Sequence, residues 1–443
     1  MVGGATAALA TSARANLLAV GRQPCETFTL ANGLQVVVLP SARAPIVTHF
    51  VVYKVGGADE TVGQTGIAHF LEHMMFKGTA NLDPGEFSRT IERHGGRDNA
   101  YTDFDVTAYH QTIAPDRLEL AMRLEADRMS GLRIVEKELV PERDVVLEER
   151  RMRIDNVPAA LLDESVRAAL FGRHKPYGMP IAGYPDDVRK LGVEQLTAFY
   201  RRFYGPDNAV LIVAGDTTPD TVRTFAEKHY GPIPARNIAP RQRPADGASD
   251  LPQRLTRTDR RVAEPGWSRD YLAPSYRRGD TRHAYALQVL AQLFGGSETS
   301  RLWRGLVVEQ RLALSASADY APSRLGLTSF GINVHPAAGH DMTAVEKAVS
   351  EQMKRVLDGE VQSHEVEHAQ NRLLARAIYA RDSLASGPRR FAADLGTGNS
   401  VSDVEAWPER IAAVQAADVV AAARHVWRDD RSVTSLLLPE ARR

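Results

Sequence analysis

The same succession of strand-like and helix-like patterns runs twice along this chain, once on each side of a proline-rich segment. Between Pro232 and Pro252, five prolines (Pro232, Pro234, Pro240, Pro244 and Pro252) fall among small and charged residues with no apolar periodicity. That composition reads as an extended linker. Ahead of it, apolar runs at 27–30 and 34–39 flank Asn32-Gly33, a pair suited to a tight hairpin turn, and a third strand follows at 46–55. Helical spacing marks 66–77, 84–94 and 115–129, with an alternating segment at 100–110. Pro141 is placed as the first residue of a helix running to about residue 155. A helix at 191–204 and a buried strand at 209–214 complete the unit. Behind the linker come a strand near 269–273, a helix at 282–294, alternating strands at 313–319 and 326–335, further helices and a final strand at 432–438. The expected fold is therefore α+β, with two duplicated domains, each an antiparallel-rich mixed sheet packed against helices. The expected boundaries are a flexible segment at 1–25, a first domain at 26–231, a linker at 232–257 and a second domain at 258–443.

Charge and cysteine usage narrow the chemistry. The 55 Lys and Arg balance 55 Asp and Glu and are interspersed with them, so there is no electrostatic footprint for nucleic acid or an anionic membrane. No apolar run reaches the 18 residues or so of a spanning helix. The sole cysteine, Cys25, makes neither an internal disulfide nor a multi-thiolate metal site, so any metal must be held by histidine and carboxylate. The small, apolar run 1–15 ends in Ala13-Arg14-Ala15, like the end of a signal peptide but without its basic start; a flexible Ala-rich terminus is the plainer reading. The compartment is left between bacterial periplasm and cytoplasm, with the periplasm preferred.

The run His69-Phe70-Leu71-Glu72-His73 places two imidazoles at i and i+4 and a carboxylate at i+3. On a helix these side chains share one face and can converge on one ion. Two neutral imidazoles suit zinc, and a carboxylate that is not itself a ligand can take a proton from an attacking water. A third ligand is needed, and residues 141–149 offer candidates: Glu142 and Glu149 lie seven apart, two helical turns, and so point the same way.

The stretch from Gly63 through His69-Phe70-Leu71-Glu72-His73 to Gly78-Thr79 closely resembles the inverted-motif zinc peptidases of the pitrilysin, insulin-degrading enzyme and mitochondrial processing peptidase family. Asn32-Gly33-Leu34, Asn99-Ala100-Tyr101-Thr102, Glu142 to Glu149, Pro176-Tyr177-Gly178 and Tyr204-Gly205-Pro206-Asp207-Asn208-Ala209 follow in the family's order and approximate spacing. The resemblance implies that His69, His73 and Glu149, the last 76 residues after His73, ligate one zinc ion per chain. It makes Glu72 the general base and Glu142 an acidic support behind a ligand. Glu148 competes with Glu149 but sits about 100° away around the helix. By the same resemblance, Asn99, Ala100, Tyr101 and Thr102 form an edge strand to which a peptide substrate adds through main-chain hydrogen bonds; the plain alternative is an internal strand.

A second run, His364-Glu365-Val366-Glu367-His368, also satisfies the inverted motif. No Glu or His occurs between Gln370 and Val404 to complete a site of known spacing, so a solvated helix with Ser363 as N-cap is expected. The histidines at 49, 94, 110, 174, 229, 283, 335, 340 and 425 are scattered singly and default to structural or surface roles.

In single-chain or homodimeric members of the resembled family, the second half typically carries an Arg and, seven residues on, a Tyr that hold the substrate backbone and stabilise an oxyanion. The positions aligned with them are Val307 and Leu314, and neither can donate a hydrogen bond. Either a homologous partner subunit supplies the pair, or Arg301, Arg304, Arg311 or Tyr320 stands in. The functional expectation is a zinc metalloendopeptidase acting on short or unfolded peptides in a closed chamber, as the metal-bearing subunit of a heterodimer. The alternatives are a non-catalytic structural subunit or a peptide-binding subunit.

Overall fold

A computed structural model describes residues 25–440 apart from 245, 246, 248 and 249. The expected flexible segment, up to residue 24, and the leader-like end at Ala13 to Ala15 lie outside the described residues. The strands are β1 (Glu26–Thr29), β2 (Gln35–Pro40), β3 (Val47–Tyr53), β4 (Arg97–Thr102), β5 (Thr107–Ile113), β6 (Ala209–Gly215), β7 (Gln253–Asp259), β8 (Gly266–Ala273), β9 (Ala313–Tyr320), β10 (Thr328–Pro336) and β11 (Ser432–Pro439). They form two sheets, ordered β1-β2-β6-β3-β5-β4 and β7-β11-β8-β10-β9. Set β1 aside, number the remaining strands of each sheet one to five along the chain, and both read 1-5-2-4-3. The pairing also agrees: β2 with β6 and β7 with β11 are parallel, and the others are antiparallel. The fold is the duplicated α+β arrangement that the repeated patterns predict.

Helices of the first half are α1 (Ile67–Met74), α2 (Glu86–Arg93), α3 (Leu118–Gly131), α4 (Glu136–Arg150), α5 (Pro158–Phe171), α6 (Pro185–Lys190), α7 (Val193–Phe203) and α8 (Pro219–His229). Those of the second are α9 (Ala284–Gly295), α10 (Met342–Leu357), α11 (Ser363–Tyr379), α12 (Ser386–Gly396), α13 (Val401–Glu405), α14 (Trp407–Ala413) and α15 (Ala416–Val426).

Strands β2, β3 and β6 are almost wholly buried, which is why they read as continuous apolar runs. One face of their sheet packs on α1, α3, α7 and α8 through residues such as Val51, Tyr53 and Leu211. The opposite face, with Val37, Phe50, Val52 and Ile212, is covered by Phe391, Ala392 and Leu395 of α12 and Val404 of α13. The exchange is reciprocal. Helix α5, through Leu162, Val166 and Leu170, packs against Val433, Leu255, Leu272 and Leu437 on the second sheet. Each half therefore lends helices to the other.

Three sequence expectations need correction; the smallest is that Ser363 is the first residue of α11, whose N-cap is Gln362. Residues 253–257, placed in the linker, are the first part of β7. This polar edge strand alternates exposed and half-buried residues, and Leu255 is its only strongly apolar residue, so it lacks the apolar signal of an inner strand. The segment before it is anchored: Arg243 binds Asp59 and Asp105, and Arg241 donates to the carbonyls of Asp105 and Gly396. Helix α4 begins at Glu136, five residues ahead of Pro141, which lies inside it. Extended Val135 and the acidic first turn, Glu136 and Glu138, set the start, and Pro141 forgoes a single helical hydrogen bond.

Candidate metal centre

Helix α1 opens where Gly66 turns the chain at φ +86°, a left-handed conformation that glycine adopts without Cβ strain. A Cβ here would also sit 2.9 Å from the Gly183 backbone. The helix buries Ile67, Ala68, Phe70, Leu71 and Met74, and its 3.6-residue period leaves His69, Glu72 and His73 on the other face. Its first turn is held by the buried carboxylate of Glu60, which accepts from Gly66 N at 2.7 Å and Ala68 N at 3.0 Å. Glu60 was not singled out in the sequence. Its signal was only an acidic residue a few positions ahead of a helix N-terminus.

Helix α4 packs beside α1 and brings Glu142 and Glu149 to opposite nitrogens of His73. Nδ1 lies 2.8 Å from Glu142 Oε1 and Nε2 lies 3.1 Å from Glu149 Oε2. Glu149 Oε2 is also 3.6 Å from His69 Nε2. One ligand atom from each of His69, His73 and Glu149 lies within 4.8 Å of the other two. Glu148 turns outward to Arg151, as the 100° offset requires. Lys77 pairs with Glu142, and Arg153 holds the outer oxygen of Glu149 at 2.6 Å.

Burial pushes the His69 imidazole down to about 4, with His73 adding to the shift. Its Nδ1 is buried without a hydrogen-bond partner. Burial also lowers His73, but hydrogen bonds to Glu142 and Glu149 outweigh it and push this ring up to about 9. The bond from His73 holds Glu149 down at about 2. For Glu142, burial acts upward but is overcome by His73 and Lys77, which hold it below the ordinary carboxylate range. Burial raises Glu72, opposed by Thr102, whose Oγ1 donates to Glu72 Oε2 at 2.6 Å.

These donors fit a divalent ion. Two imidazole nitrogens and one carboxylate oxygen converge, and a second carboxylate accepts from Nδ1–H of His73, so that loss of the Nε2 proton would turn that nitrogen's lone pair to the ion. The group opens on a cleft of about 1310 Å³ lined also by Glu72, Asn99, Ala100, Tyr101 and Thr102. Strand β4, which carries the last four, is the edge of its sheet, so one side of its backbone is left unpaired by the sheet.

In the second half, Val307 lies partly buried against the core and Leu314 is exposed. Two of the four candidate substitutes are engaged elsewhere: Arg301 binds Glu365 and the Glu360 carbonyl, and the Tyr320 hydroxyl donates to the Pro274 carbonyl at 2.6 Å. His364 and His368 belong to no metal-competent cluster among the described residues, and the Glu365 between them is committed to Arg301.

Duplicated halves with a His-His-Glu group on the first are the layout of an inverted-motif metallopeptidase scaffold. The family profile described as insulinase (peptidase family M16) matches residues 36–183, and that described as peptidase M16 inactive domain matches residues 190–373. The chain belongs to peptidase family M16. It is 30% identical over 420 residues to the zinc protease PqqE of Helicobacter pylori, covering 94% of this chain and 93% of the relative. A crystal structure of a protease from Helicobacter pylori superposes with a TM-score of 0.86 at 28% identity, over 94% of this chain and 100% of that one. The periplasmic protease PqqL of Escherichia coli shares the fold, with a TM-score of 0.78 at 20% identity over 94% of this chain and 47% of the longer one. No helix among the described residues is long and apolar enough to cross a membrane.

Proposed function

We propose that the chain is a zinc metalloendopeptidase that cleaves short or unfolded peptides bound in extended form. The observation that carries this reading is the hydrogen bond between Thr102 of the edge strand and Glu72, which joins the peptide-docking edge to the proton acceptor beside the metal ligands. His69, His73 and Glu149 hold the ion, and Glu142 orients His73. When bound, zinc supplies Lewis acidity for the scissile carbonyl and the attacking water. A peptide pairs with the open edge of β4 over Asn99 to Thr102, which selects for extended backbone rather than side-chain identity. Thr102 occupies Oε2 of Glu72 and leaves Oε1 to take the proton of the attacking water and pass it to the leaving amine. Burial raises that carboxyl above its ordinary range, the direction that helps a general base return its proton.

The missing Arg and Tyr favour a heterodimer in which a homologous partner subunit supplies them and closes the chamber. Two of the four substitutes within this chain are already committed to other bonds, which supports that division of labour. The test compares zinc content and cleavage of a quenched unfolded peptide in the wild type and in Glu72→Gln. The variant is expected to keep its zinc and lose about 10²- to 10⁴-fold in kcat, the range for losing a general base. Cleavage at wild-type rate by Glu72→Gln would refute the assignment. Full activity of the purified chain alone would remove the heterodimer.

A further inference from the structure

A second group of potential ligands lies in the other half of the molecule. Asp280 and His283 sit in the turn that leads into α9, and His425 is in the last turn of α15. Along the chain the two histidines stand singly. The fold stacks their rings, with centroids 4.8 Å apart and planes inclined by 29°. Asp280 Oδ2 lies 3.6 Å from His283 Nε2, and one ligand atom from each of the three residues lies within 4.8 Å of the others.

We propose that Asp280, His283 and His425 form a second site for a divalent transition metal, separate from the His69, His73 and Glu149 group. Two imidazoles and one carboxylate are a donor set that such ions take readily. The residues are spaced to bridge two elements, the entry of α9 and the exit of α15. Asp418, two turns earlier on α15, adds negative charge that is felt at His283. Burial, followed by His425, lowers the His283 imidazole. Arg282 binds Asp280 Oδ2 at 2.8 Å, but its side chain is 76% exposed and can swing into solvent.

The site is not a relic of the first. Within the duplicated topology α9 corresponds to α1, since each joins the second and third strands of its set, and α15 corresponds to α7, each preceding the last strand. The first group lies between α1 and α4, whereas this one joins the start of α9 to α15. An ion here would pin two helices that pack in the second core and so stabilise that half in proportion to its occupancy.

The test uses the full chain carrying His69→Ala and His73→Ala, stripped by chelation and titrated with Zn²⁺ by calorimetry and with Co²⁺ by visible absorption. One ion per chain is expected, with a Co²⁺ ligand-field band and a rise in Tm on adding zinc. Adding His425→Ala, an exposed position, is expected to weaken binding at least tenfold and abolish the Tm rise, with unchanged circular dichroism; Asp280→Asn should act in the same direction. In the otherwise wild-type chain, His425→Ala should lower the zinc stoichiometry from two to one, a reading that stands even if the first double variant folds poorly. Failure of the parent variant to bind any ion while retaining its fold, or an affinity unchanged from the parent's when His425→Ala or Asp280→Asn is added, overturns the proposal.

Discussion

The two histidines of the first centre are prepared differently. His69, held near 4 by burial, is neutral at pH 7, while His73, raised to about 9 by Glu142 and Glu149, carries a proton in the metal-free chain. Loading zinc at pH 7.5 should therefore release about one proton per ion, read by calorimetry in buffers of different ionisation enthalpy. That release should fade toward pH 10, and a value of zero at pH 7.5 would contradict the assignment. The sign for stability is opposite. A histidine raised above its ordinary 6.5 contributes stability that is fully present below about 6.5 and is lost as pH rises through about 9. The metal-free chain should accordingly melt at lower temperature at pH 9.5 than at pH 6 through this group. Glu142 should matter for affinity rather than chemistry: Glu142→Ala removes the partner of His73 Nδ1 and is expected to weaken zinc binding about 10- to 100-fold, measured by competition with a chelator.

At the scale of the element, α1 and α4 carry the centre, and α3 braces the core beneath α1. Helix α1 packs its apolar face on a core that includes Phe76, Phe87 and Tyr109. The guanidinium of Arg128, from α3, lies 5.0, 4.2 and 4.4 Å from those ring centroids and pairs with Glu125 at 2.6 Å, both side chains being at most 1% exposed. Gln111 donates to the same carboxylate and bonds His49. Glu125→Ala would leave a buried arginine unpaired and should cost about 3–5 kcal/mol, read from urea unfolding; a loss under 1 kcal/mol would show that water or another group compensates. The face of α1 was legible because i, i+3 and i+4 spacing is a local property, and the seven-residue spacing of Glu142 and Glu149 was legible for the same reason. The edge position of β4 was not, since it follows from strand order and entered only through family resemblance. The true start of α4 and the strand β7 were obscured by an interior proline and by an edge strand with little to bury. Neither Asp280 with His283 and His425 nor Glu60 with α1 could be read from spacing without the fold.

The halves of the whole molecule look separable along the chain but are interlocked in space. Strands β2, β3 and β6 need cover on both faces, and for one face it comes from α12 and α13, more than 130 residues beyond the linker. Helix α5 repays the debt on the second sheet. Arg243 ties the linker to Asp59 and Asp105, and Arg324 of the second half reaches Asp103 of the first at 2.8 Å. Residues 103 and 105 closely follow β4, so the pose of the second half is fixed close to the cleft. Two domains joined by a free tether would unfold in separate steps, whereas this exchange exposes apolar sheet surface in one half whenever the other opens. Calorimetry should therefore show one principal transition for the metal-free chain. Phe391→Ala, a 2% exposed side chain of the second half packed on the first sheet, should destabilise that same transition by about 3–5 kcal/mol rather than split it. Two well-resolved transitions, with only the later-numbered half affected by Phe391→Ala, would mean that the halves behave as independent bodies and that the cleft geometry is not set by their contact.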